Sequence, residues 1–198
     1  MMDVLFRALG RLRRGSDGST ILEFAFVAPV LMLLLFGSME VGMIFFADSL
    51  LEGGLREAAR FGLTGAPPPS GTREDHIVEV INANGAGVVK ITASNVTTLV
   101  YPNFTSIGEP EPYTDSNGNG VHDAGEPYTD INCNSQWDPD QGKAGLGHGG
   151  EVVQYSVNYD LRLMTGLLAP LLGKDGKFPL AATVVVRNEP FDEGDPAC

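Results

Sequence analysis

Phe24-Ala-Phe-Val-Ala-Pro-Val-Leu-Met-Leu-Leu-Leu-Phe36 decides the architecture, because it is too apolar for the surface of a soluble helix. No charged residue occurs from Phe24 to Met39. With its flanks, Ile21 to Phe46, the run is long enough to cross the hydrocarbon of a bilayer, for which about 20 residues are needed. Pro29 lies inside it and is tolerated in a membrane helix as a kink. Two carboxylates break the pattern, Glu23 at the start and Glu40 in the later part. Each is costly in lipid unless it is paired or near the interface.

Charge on the two sides of this run is unequal. Residues 1–18 hold Arg7, Arg11, Arg13 and Arg14 against Asp3 and Asp17, a sum of +2, and the remainder carries −14 of the net −12. An Arg-rich segment before the span with no counterpart after it predicts a cytoplasmic N-terminus and an extracytoplasmic C-terminal region. The competing reading, a removed secretory signal, has a weak cleavage candidate at Ala47-Asp48-Ser49 and an unusually long apolar region. The acidic remainder repels phosphates, so nucleic-acid binding is set aside.

Beyond the span, Leu50, Leu51, Leu55, Ala58, Ala59 and Phe61 recur at helical spacing, with Glu52 and Arg56 as an attractive i,i+4 pair. The helix is expected to run to about Gly62, stopped by Gly65 and Pro67-Pro-Pro69. Thr72 to Asn82 reads as a short helix, with Thr72 and Asp75 as its capping box and His76 as a structural surface residue. Val88–Tyr101, Val152–Leu163 and Leu180–Arg187 read as strands. The expected fold is α+β: a long N-terminal transmembrane helix, then a small antiparallel sheet domain packed on the exposed end of that helix, with an inserted calcium-loop repeat. Leu163–Leu172 is apolar and suits either a cover for the sheet or a contact at the membrane surface.

The head of the anchor reads Gly18-Ser-Thr-Ile-Leu-Glu23. This resembles the type IV prepilin processing site. The resemblance implies cutting between Gly18 and Ser19 by a prepilin peptidase, with Glu23 as the fifth residue of the mature chain. A small residue lets a peptidase approach the backbone closely. Cleavage would expose an α-amino group, and a lipid-buried Glu23 could pair with that group on a neighbouring subunit. The plainer alternative is a turn at Gly18 and an interfacial carboxylate favoured by the helix dipole.

Ile21-Leu-Glu-Phe-Ala-Phe-Val-Ala-Pro-Val30, the Leu-rich run after it, Glu57-Ala-Ala-Arg-Phe-Gly62 and the tail Val184-Val-Val-Arg-Asn-Glu-Pro-Phe191 resemble TadE-like proteins of the tight-adherence (Flp-type) pilus system. The resemblance implies a pseudopilin or minor pilin of the inner (cytoplasmic) membrane, oligomerising with other pilin-like subunits through its N-terminal helix. The domains expected are a leader at 1–18, a helix at 19–63 and an outer domain at 64–198.

The middle of the chain departs from that family pattern. Glu111-Pro-Tyr-Thr-Asp115 recurs as Glu126-Pro-Tyr-Thr-Asp130, a period of 15 that marks an internal duplication within 109–142. After the first copy, Asp115, Asn117, Asn119, Val121, Asp123 and Glu126 stand at positions 1, 3, 5, 7, 9 and 12 of a twelve-residue calcium loop, with Gly120 at position 6. After the second copy come Asp130, Asn132, Asn134, Gln136 and Asp138. The position-6 glycine is replaced by Ser135 and the final glutamate by Gln141, with Asp140 as a substitute donor, so this site is expected to be weaker. No Lys or Arg occurs between Lys90 and Lys143, which favours a Ca2+ ion as the neutralising charge. A solvated acidic loop without an ion is the alternative. Zinc is disfavoured because Cys133, His122 and His148 lack ligand spacing. Cys133 and Cys198 are able to form a disulfide in an oxidising compartment, with two thiols as the equal alternative. No nucleophile–base pair or phosphate loop stands out, so an enzyme is not expected. The second functional reading is an uncleaved, membrane-tethered calcium-binding adhesive or structural module.

Overall fold

The computed structural model describes residues 17–165, 168–172 and 175–191, with side chains from Thr20 onward except that of Leu172. Residues 1–16 of the leader and Cys198 lie outside the described residues, so neither the basic head nor the Cys133–Cys198 pairing is placed.

Helix α1 runs Asp17–Leu63 with Pro29 inside it. It is the only helix among the described residues long and apolar enough to cross a membrane. Its large apolar side chains from Ile21 to Met39 stand exposed, as expected of a surface that meets lipid rather than water.

The chain divides into two units. One comprises α1 up to Met43 together with Arg162–Lys177; the other comprises Ile44–Leu161 and the chain from Phe178 onward. In the second unit α1 changes character: Ala47, Leu51, Leu55, Ala58 and Ala59 are fully buried, a stripe at i, i+4, i+8 that faces one core. Helix α2 (Arg73–Asn84) begins at Thr72, with the predicted capping box made to Asp75, and buries Ile77 and Ile81. At Gly54 an added Cβ would lie 3.1 Å from Ile81 Cα, and at Gly62 one would overlap the Tyr155 hydroxyl. Close backbone approach therefore explains both glycines. The Tyr155 hydroxyl is buried without a hydrogen-bond partner among the described residues, and burial pushes its pKa up to about 12.

The sheet has the order β2-β1-β3-β4, with β1 Val96–Tyr101, β2 Lys143–Ala144, β3 Val152–Arg162 and β4 Lys177–Arg187. β1 pairs antiparallel with β2 and with β3, placing Val100 opposite Val153. Three of the predicted strand limits move: β1 begins at Val96 and not Val88, β3 ends at Arg162 and not Leu163, and β4 begins at Lys177 and not Leu180. Residues 88–92 are not strand, because the Asn82 side chain takes the place of a neighbouring strand: its amide accepts from Ile91 N at 2.8 Å and donates to Ile91 O at 3.0 Å. β2, two residues long, was not anticipated. Helix α3 spans Ala169–Leu172 in the first unit.

The tail closes on the end of α1. Glu189 N donates to Leu63 O at 2.9 Å, and the Phe191 ring lies where a Gly65 side chain would be. Arg73 donates to the carbonyl of Gly62, one of the last carbonyls of the helix.

Candidate functional site

The duplicated segment folds as a pair of loops related by the 15-residue offset. Tyr113 and Tyr128 form an antiparallel bridge. Around it Thr114 N donates to Pro127 O and Thr129 N to Pro112 O, both at 2.8 Å. Each contact maps onto the other when 15 is added or subtracted, which is a local two-fold relation between the copies.

Asp115 organises the first loop. Its Oδ1 accepts from Gly118 N (2.6 Å) and Asn119 N (3.3 Å), and its Oδ2 from Gly120 N (2.8 Å). These backbone donors, Gly120 foremost, hold its carboxyl below the usual range. Asp130 repeats the arrangement with Cys133 N (2.7 Å), Asn134 N (3.2 Å) and Ser135 N (2.8 Å). In each loop two asparagine amides converge on one carboxylate oxygen. Asn117 and Asn119 donate to Asp123 Oδ2 at 2.7 and 2.8 Å. Asn132 donates to Asp138 Oδ2 at 2.7 Å, and Asn134 reaches the same atom.

The glutamates cross over. Glu126, at the head of the second pentapeptide, braces the first loop by accepting from Ser116 N (2.7 Å) and Asp123 N (3.0 Å). Glu111, at the head of the first, braces the second loop: it is fully buried and accepts from Ile131 N (2.7 Å), Asn132 N (3.2 Å) and Asp138 N (3.2 Å). The sequence reading gave Glu111 no role and expected the second loop to lack its glutamate. The period itself held the signal, since Glu111 is the copy of Glu126. Glu126, read as the ligand at position 12, has both carboxylate oxygens engaged by main-chain N–H groups.

An aromatic cluster fills the space between the copies. His122 and Trp137, also 15 apart, stack at 4.5 Å with planes 16° from parallel, and Tyr113 meets both edge-on. Trp137 Nε1 donates to Glu111 O at 2.9 Å. His122 is thus a packing residue in this cluster.

Asp115, Asn117, Asn119 and Asp123, and their counterparts Asp130, Asn132, Asn134 and Asp138, offer only carboxylate and carboxamide groups, and the asparagine oxygens accept main-chain N–H groups. That donor type suits calcium and not zinc. No group of three or more His, Cys, Asp or Glu side chains positioned for a metal occurs among the described residues; asparagines hold two of the four places in each loop, and both oxygens of Glu126 are engaged by the main chain. Asp140 lines one depression of about 440 Å³ with Asn132, Asn134, Asp138 and Lys143. Its carboxylate accepts from the Tyr101 hydroxyl at 3.1 Å and from Gly142 N at 3.0 Å. Burial, with the Asp140 charge after it, pushes the Tyr101 phenol up to about 12. Gln136 and Val121 are exposed. Gln141 is buried and its N donates to Glu109 O at 3.0 Å, closing the neck of the insertion.

At the helix head, Gly18 and Ser19 lie in the first turn of α1, and Glu23 is exposed. Glu40 differs from it: it is 1% exposed and accepts from Met164 N (2.6 Å), Thr165 N (3.0 Å) and the Thr165 hydroxyl.

The helix that carries Gly18, Ser19 and Glu23 is where a family model matches the chain. Residues 18–60 match the family model of TadE-like proteins. The resemblance read from the sequence therefore holds over the helix and its head, and it points to a membrane-anchored component associated with the tight-adherence pilus, a setting in which it would meet other pilus proteins. Comparison with curated proteins and with solved structures gave no match.

Proposed function

We propose that the protein is a pseudopilin or minor pilin-like component of a tight-adherence, type IV-like pilus assembly system. On this reading a prepilin peptidase processes it after Gly18, and calcium stabilises its outer domain. The observation that carries this is the family match, which begins at Gly18 and takes in Ser19, Glu23 and the whole apolar stretch of α1. The leader is cytoplasmic, the anchor sits in the inner membrane, and the domain from residue 64 is extracytoplasmic. After cleavage, Glu23 and the new α-amino group of Ser19 favour association with neighbouring pilin-like subunits through the helix. The role is structural rather than enzymatic. Calcium would be held by Asp115, Asn117, Asn119 and Asp123 in the first loop and by Asp130, Asn132, Asn134 and Asp138 in the second, supplying the positive charge that this acidic segment lacks. Mass spectrometry of the mature chain tests the reading. A chain beginning at Ser19 in cells with an active peptidase is the expected result, and one beginning at Met1 or Met2 overturns it.

The paired loops favour a second reading, an uncleaved membrane-tethered calcium-binding adhesive module. Recovery of the protein in the membrane fraction with none in purified pili, together with an intact leader, would select it.

A further inference from the structure

Glu40 and the loop that bonds to it occupy a place the anchor's sequence does not explain. The apolar stretch of α1 starts at Phe24. At about 1.5 Å per residue, a hydrocarbon core of about 30 Å ends near residue 44. Glu40 then lies about 6 Å inside that boundary. Helical side chains tilt toward the helix N-terminus, which carries this carboxylate deeper rather than outward. The backbone N–H groups of Met164 and Thr165 reach it at 2.6 and 3.0 Å, so they share its depth. Non-helical backbone at that depth needs an acceptor for each N–H, and a carboxylate there needs donors. Each group meets the other's requirement.

The rest of the loop has the composition of a lipid-facing element. No charge occurs from Leu163 to Leu172, while Arg162 and Lys174 bracket the run in the sequence, as suits anionic headgroups. Met164 is 57% and Leu171 81% exposed, and a Leu168 methyl lies beside Gly37 of the anchor, 3.7 Å from where an added Cβ would stand. On α1, Met39 beside Glu40 is 53% exposed.

We propose that Met164, Thr165 and Leu168–Leu171 form a second membrane-contacting element, seated in the interfacial layer of the lipid bilayer beside α1, with Glu40 as the acceptor that permits its backbone to enter. The proposal rests on the reading of α1 as a membrane anchor.

The test uses the full chain in vesicles of phosphatidylcholine and phosphatidylglycerol whose acyl chains carry bromine either near the headgroup or near the chain end. Leu171→Trp and Leu33→Trp each add one indole to the native Trp137. The expected result is that the emission added by Leu171→Trp falls by about half with headgroup-proximal bromine and less with distal bromine, as for a group in the interfacial layer. Leu33→Trp should show the reverse order. Adding Glu40→Ala to Leu171→Trp should abolish most of that quenching. Unquenched, red-shifted Leu171→Trp emission beside a quenched Leu33→Trp overturns the proposal and leaves the anchor standing. Blue-shifted but unquenched emission puts protein rather than lipid over the loop and also overturns it. Quenching that survives Glu40→Ala overturns the part assigned to Glu40. Absence of quenching at Leu33→Trp overturns the anchor reading and the proposal with it.

Discussion

The first and second loops reach one conformation from different residues. In the first, Gly118 and Gly120 have φ of 75° and 78°; in the second, Cys133 and Ser135 have 66° and 65°. Left-handed backbone is disfavoured for a residue with a Cβ, yet the turn persists. What the loops share is the leading aspartate, which collects three N–H groups in each, and a buried glutamate supplied by the other copy. The comparison teaches that the loop is shaped by its acceptors and that glycine only lowers the cost. It also shows that neither copy is complete alone, because each lends its glutamate to the other.

Truncating the braces should produce the largest difference between the loops. Glu111 is fully buried and satisfies three N–H groups, whereas Glu126 satisfies two and is 9% exposed. Glu111→Ala should cost about 3 kcal/mol and Glu126→Ala about 2 kcal/mol, since each unsatisfied buried group carries about 1 kcal/mol or more. Urea denaturation of the purified chain gives both values. Equal losses would show that the crossed bracing is symmetric in energy.

Calcium sharpens the same comparison. If both loops bind, free calcium at about a hundred times Kd should add about 2.7 kcal/mol per site, seen as a higher Tm that chelator reverses. Asp115→Ala should remove most of this gain and Asp130→Ala less. An unchanged melting curve with calcium or chelator would remove the ion from the account and leave the loops held by hydrogen bonds alone.

Much of the molecule was legible before its structure. The anchor showed itself because an uninterrupted apolar run has few other uses, and the Thr72–Asp75 box because both partners lie within one turn. What stayed hidden depended on distant partners. Glu40 meets residues 124 and 125 positions away, and Glu111 meets Ile131 20 away, though the period of 15 could have mapped it onto Glu126. Val88–Thr92 looked like strand from its apolar content, and a side chain, Asn82, met its backbone instead. The unit that contains the anchor also takes in Arg162–Lys177 from late in the chain, a grouping that no local pattern in the sequence announces.

Acid should weaken the first loop through Asp115. Its folded pKa lies below the ordinary carboxylate value, about 3.9. A depressed folded pKa contributes stability that is complete above the unfolded value and is lost as pH falls through the folded one. The urea midpoint of the native chain should therefore exceed that of Asp115→Asn at pH 6, with the gap closing toward pH 3. A gap that stays constant over this range would assign the effect to shape and not to charge.

The smallest expected effect bears most directly on what glycine does here. Ser135 and Gly120 occupy equivalent places, and only Ser135 carries a Cβ in the left-handed region. Ser135→Gly relieves that strain but gives the unfolded chain more freedom. Left-handed backbone costs a residue with a Cβ roughly 1–2 kcal/mol, and the added entropy of glycine offsets up to about 1 kcal/mol of the relief, leaving a net gain of about 0.5 kcal/mol. Gly120→Ala meets no neighbouring atom within 4 Å, so its loss of about 1 kcal/mol would come from backbone strain alone. Both variants keep the Asp130 and Asp115 acceptors. If Ser135→Gly instead destabilises the chain, the serine side chain contributes to the second loop in a way its backbone position does not account for, and the two loops differ by more than their glycines.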